Sequence, residues 1–257
     1  MRQNDSKQRG AITSVLYYFC TLLVIMIPFW VLGSVTRIHG LPFNMQLNVL
    51  LVLVMPVVAL YFIARTYGTS SLRRVAIDCL PGHRASNLAL AIAFLTVPAV
   101  AMLVFSAAHF FVAFDGWPVA FVLVPAYFIV YYFAAAFEEI GWTWYATPIL
   151  GRKMSVVGTG VTVGVVWAAL HTLPWYQQNG WWFMTGMIIF SVLSRIIMTW
   201  VYLCNGRLLW LSIAYHAMIN TTFTLFHPGS PYANPFLYAI ALTPLVIWIL
   251  YRANSHD

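Results

Sequence analysis

The chain has 257 residues, of which 62% are hydrophobic and 7% charged, with a formal net charge of +7 and a mean hydropathy of +0.82. That composition excludes a soluble globular domain. The basic surplus does not indicate nucleic-acid binding, because the lysines and arginines fall between apolar runs and form no clustered face. Cys20, Cys79 and Cys204 share no CxxC spacing, so neither a disulfide framework nor a thiolate zinc site is expected.

About 20 apolar residues span the hydrocarbon core of a bilayer. In chain order that length predicts eight helices, near 12–36, 43–64, 88–113, 118–147, 155–174, 181–203, 208–226 and 235–252. The expected fold is all-α: a polytopic membrane protein, a bundle of about eight transmembrane helices forming one domain over 1–257. The N-terminal MRQNDSKQRG is positively charged, but the apolar run after it is too long for a signal-peptide core and lacks a small-residue cleavage motif. It reads as a retained first span. The polar segment 65–87, with Arg73, Arg74, Asp78, His83 and Arg84, predicts a loop or a short surface helix. Arg2, Lys7, Arg9, Arg65, Arg73, Arg74, Arg84, Arg152, Lys153, Arg207 and Arg252 fall on one side and Arg37 alone on the other, which puts both termini in the cytoplasm.

Glu138 and Glu139 are the only glutamates, and they lie inside an apolar helix. An ionised side chain at bilayer depth costs about 2.5–3.5 kcal/mol on insertion scales, so two adjacent carboxylates there need partners and mark a site. Helices four and five form a hairpin turning at 151–155, which sets the glutamates level with His171, roughly 25 Å from the turn at 1.5 Å per residue. Gly160, Gly164, Trp167 and His171 share one face, where the glycines let a neighbouring backbone approach. In helix seven, Ser212, His216, Asn220 and Thr224 form a polar stripe at four-residue spacing. Arg195, on helix six, is the only basic residue placed at depth and is expected to pair with Glu138 or Glu139. His109 is expected near the outward end of helix three, and His39, His83, His227 and His256 in loops or at the terminus. Taken singly, His171 or Asn220 is explained by helix packing; three helices bringing polar groups to one level is not.

A buried carboxylate beside a histidine can activate water as a general base, while a second histidine and an amide donate to the oxyanion formed on an attacked carbonyl. The same residues also suit a hydrolytic zinc site with Glu138, His171 and His216 as ligands. Residue types alone leave both open. Paired glutamates and histidines at depth would equally serve a proton-coupled transporter, but the outward halves of helices five and seven offer little beyond Thr172, Thr221, Thr222 and Thr224 as a polar path.

These residues resemble the motifs of the CPBP (CAAX protease and bacteriocin-processing, Abi) intramembrane proteases, which include the type II CAAX prenyl endopeptidases. The EExxxR motif is matched from Glu138 and Glu139 onward. The aromatic-then-histidine motif is Trp167 and His171, and the histidine-then-asparagine motif is His216 and Asn220. The resemblance implies a catalytic core over 137–220 and a glutamic endopeptidase opening toward the cytoplasm. In it Glu138 and His171 activate water, His216 and Asn220 form the oxyanion hole, and Glu139 supports the site with Trp167 nearby. It implies no cofactor, with zinc as the alternative, and a membrane-associated peptide or protein substrate. The expected location is a bacterial cell membrane. The chain departs from the pattern at Thr143, where the motif has arginine. Arg195 is expected to replace that arginine; the contrasting reading is a non-catalytic binding or immunity protein.

Overall fold

The computed structural model describes residues 2–33, 51–82, 85–111, 121–226 and 231–254. In chain order the elements are α1 (Arg2–Gly33), α2 (Leu51–Tyr67), α3 (Ser71–Asp78), α4 (Asn87–His109), α5 (Val124–Glu139), a π-helical segment (Ile140–Ala146) and α6 (Thr147–Leu150). They are followed by α7 (Val156–Gln177), α8 (Asn179–Cys204), α9 (Leu209–Thr224) and α10 (Pro235–Asn254). Each of the eight predicted helices has a counterpart. Among the described residues six are long and apolar enough to cross a membrane; α9 has 16 residues, and α2 is described from Leu51 onward. The chain is a polytopic helical membrane protein.

The boundaries follow local chemistry. Ser86 and Ser155 cap α4 and α7, their hydroxyls accepting from Ala89 N at 3.2 Å and Gly158 N at 3.0 Å. The predicted end at 174 moves to Gln177, because Pro174 is tolerated within α7 and the chain turns only at Gly180, whose φ of 75° suits glycine. The predicted helix 118–147 is not uniform: it widens into the π segment directly after the glutamates. There the Thr147 hydroxyl donates to the Trp142 carbonyl at 2.8 Å, satisfying an acceptor in the wide turn. The polar stretch after α2 contains the surface helix α3. The start of the predicted helix 43–64, the ends at 113 and 118, and Arg37, His39, His83, Arg84, His227 and His256 lie outside the described residues.

Large apolar side chains face outward, including Leu95 and Leu103 on α4 and Ile240 and Ile247 on α10. That is the arrangement lipid requires, so burial in this bundle reports packing between helices. One core joins α4, α8, α9 and α10. A second joins α1 and α2 to the π segment, α6 and α7, and a small third links α5 to α9. The polar level lies where these meet. Close approach of α7 to α8 depends on two glycines: a Cβ at Gly160 would stand 2.6 Å from the Ile196 Cα, and one at Gly164 2.9 Å from the Val192 Cα. The glycine face read from the sequence therefore receives α8, the helix that carries Arg195.

Candidate functional site

Glu139 is fully buried at the end of α5, and both of its oxygens are engaged. Oε2 accepts from Arg195 Nη1 at 2.7 Å and from the Thr143 hydroxyl at 2.5 Å. Oε1 faces His216 Nδ1 at 2.8 Å. Arg195, 1% exposed, also lies over the Trp167 ring, 4.4 Å from its centroid. A buried carboxylate is tolerated when it is paired and its lone pairs are filled, which is the condition here.

Trp167 organises the rest. Its indole N–H donates to Glu138 Oε2 at 2.8 Å. Its ring lies 5.1 Å from that of His171 and meets His216 edge-on at 5.4 Å. His171, stacked on Trp175 at 5.3 Å, donates through Nδ1 to the Trp167 carbonyl one turn back at 2.8 Å. That bond leaves Nε2 as an acceptor. Glu138 and His171 are half-buried and lie within electrostatic reach of each other. Asn220, also half-buried, follows His216 by one turn and has no side-chain hydrogen bond among the described residues.

The structure thus gathers Glu138, Glu139, His171, Arg195 and His216 around Trp167, with Asn220 one turn along α9. It changes their pairing. The histidine bonded to a glutamate is His216, on Glu139; among the described residues no hydrogen bond joins either glutamate to His171. Of the two glutamates expected for Arg195, Glu139 is its partner. Thr143, read from the sequence only as a missing arginine, is itself a ligand of Glu139, a contact signalled by its i, i+4 spacing. Tyr18 had no sequence signal: fully buried, its ring meets Trp142 edge-on at 5.7 Å, and its hydroxyl occupies the space that a Cβ at Gly141 would fill. His109 ends α4, exposed and stacked on Phe105 at 5.6 Å, away from this cluster. Among the described residues no three His, Cys, Asp or Glu side chains are grouped to hold one metal ion.

Because Gly164 sets the approach of α8, Gly164→Leu is expected to push Arg195 off Glu139 and destabilise the protein by about 1–3 kcal/mol, the usual cost of overpacking. A denaturant titration in mixed micelles measures this; an unchanged midpoint would show that the contact yields freely.

Residues 120–222 match the family model of type II CAAX prenyl endopeptidase Rce1-like proteins. The CAAX prenyl protease 2 of Methanococcus maripaludis is 28% identical over 106 residues, a match covering 38% of this chain and 39% of that relative. The chain thus aligns with well under half the length of that curated relative. The matched stretch is the one that builds the site, from Glu138 on α5 through Trp167, His171 and Arg195 to Asn220 on α9, and it is over this stretch that the chain is similar to the type II CAAX prenyl endopeptidases.

Proposed function

We propose that the protein is an intramembrane endopeptidase that hydrolyses a peptide bond in a membrane-associated peptide or protein with glutamate-activated water. One observation carries this reading: the two glutamates are treated differently. Glu139 is saturated by Arg195, Thr143 and His216, whereas half-buried Glu138 has one oxygen on Trp167 and the other unengaged among the described residues. A base needs a free lone pair within reach of water: Glu139 is fully buried behind its three partners, whereas Glu138 is partly exposed.

In this mechanism a water between Glu138 Oε1 and His171 Nε2 gives its proton to the carboxylate and attacks the scissile carbonyl. The oxyanion receives hydrogen bonds from the Asn220 amide and from His216 Nε2–H. Glu139 supplies the setting for that donor: whichever member of the Glu139–His216 pair holds the proton between Oε1 and Nδ1, the ring can carry its other proton on Nε2. Collapse returns the proton from Glu138 to the leaving amine, so Glu138 acts first as base and then as acid. Glu139 and Arg195 act by position. The catalytic core is 137–220, no cofactor takes part, and the basic end of the bundle with both termini faces a bacterial cytoplasm.

The test is cleavage of a membrane-anchored peptide library by purified protein in detergent. Glu138→Gln is expected to lower the rate by ~10²–10⁴-fold, the range for loss of a general base, with a chelator leaving wild type unchanged. Loss to chelator with rescue by zinc would replace this mechanism with a metal-dependent one. Binding without cleavage by wild type would make the chain a binding protein.

A further inference from the structure

At the basic end of the bundle, a cavity of about 670 Å³ opens between α3, the α6–α7 turn and the α8–α9 turn. Arg74, Arg152 and Arg207 line it against a single carboxylate, Asp78. That carboxylate is already engaged by Trp144 Nε1 at 2.8 Å and Arg74 Nε at 3.6 Å. Among the described residues no carboxylate pairs with Arg152 or Arg207.

Other donors add to this surplus. α9 begins at the cavity wall with no side chain capping its first amides, which leaves the positive end of a helix there. Trp210, only 8% exposed, lines the cavity and has an indole N–H with no acceptor. The Asn205 amide nitrogen also lacks one, its oxygen being occupied by the Ser86 hydroxyl at 3.0 Å. Buried donors without acceptors are uncommon, because leaving one unmade costs the desolvation of the group. Arg207 is moreover the one non-glycine residue with positive φ, 58°, among the described residues. That conformation is free to glycine and disfavoured for any residue with a Cβ, so arginine stands at this wall against local preference.

Tyr67, Trp144, Tyr202 and Trp210 line the wall, and Tyr and Trp are the residues enriched where bilayer meets water. Amphipathic α3 buries Val75 while Arg73, Arg74 and Ile77 face outward, the pattern of a helix lying in that boundary. Lipid phosphates sit at the same depth. We propose that this cavity binds the phosphate of an anionic lipid headgroup, with the guanidinium groups of Arg152 and Arg207 on its oxygens.

The test titrates the purified full chain in non-ionic detergent with dioctanoyl phosphatidylglycerol, read by native mass spectrometry. Arg152→Ala and Arg207→Gly are each expected to weaken binding by ~10-fold, the loss of a charge-assisted contact. Lys153→Ala, which removes a charge beside the cavity without lining it, should stay within ~2-fold. Because glycine suits the backbone at 207, Arg207→Gly should keep or raise thermal stability, so its loss of binding reports on the site and not on the fold. Equal weakening by Lys153→Ala would overturn the proposal in favour of diffuse attraction. So would displacement of the lipid by inorganic phosphate, or by a peptide with a free C-terminal carboxylate, at concentrations equal to the lipid's.

Discussion

Arg195→Met is expected to destabilise the protein by about 3–5 kcal/mol, the cost of stranding a buried charge once its partner is removed. Glu139 has no solvent to turn to: it is fully buried, and its nearest cation lies 2.7 Å away. The loss should appear as a lowered denaturation midpoint in mixed micelles, together with loss of cleavage because His216 is held by the same carboxylate. The double variant Arg195→Met with Glu139→Leu should recover most of the stability and none of the activity, since an apolar pair replaces the ion pair while the support for His216 is gone. Adding Thr143→Arg to Arg195→Met should restore both, because an arginine four residues after Glu139 can reach the same oxygen from α5's own continuation. If Arg195→Met changes neither stability nor cleavage, the ion pair has no role in holding the site.

The second large effect is expected at Asn220. Asn220→Ala should lower kcat by ~10²–10³-fold with little change in KM, as removal of one oxyanion donor does, because the amide would act on the transition state and not on the bound substrate. The denaturation midpoint should stay close to wild type. The Asn220 side chain makes no hydrogen bond among the described residues; its carbonyl accepts from Thr224 Oγ1 at 2.8 Å. A KM rise with unchanged kcat would instead assign Asn220 to substrate binding. A large stability loss would make it a packing residue.

The two variants separate the parts of the site. Arg195 and Glu139 lie in a closed network whose failure should register first as instability. Glu138, His171 and Asn220 are half-buried and should register as rate. Thr143 falls in the first group: in the sequence it is a lost arginine and a reason to doubt activity, whereas in the structure its hydroxyl and Arg195 share Glu139 Oε2.

The sequence by itself determined the class of the fold and picked out the polar residues that the structure gathers around Trp167. Apolar runs of bilayer length leave backbone groups nothing but helices in which to satisfy their hydrogen bonds, and ionisable residues at depth are rare enough that Glu138, Glu139, His171, Arg195 and His216 stand out together, as a group brought to one level by several helices. Gly160 and Gly164 were legible for the same kind of reason, as small residues on one helical face. Who bonds to whom was decided only by tertiary structure. By depth His171 stood level with the glutamates and was the expected partner, with His216 within a turn or so of them. Rotation of each helix about its axis sends His216 to Glu139 and turns His171 back onto its own Trp167 carbonyl. The π segment that follows Glu139, the Tyr18 hydroxyl against Gly141 and the arginine-lined cavity at the α8–α9 turn likewise arise from how separate helices meet, and no local periodicity encodes them.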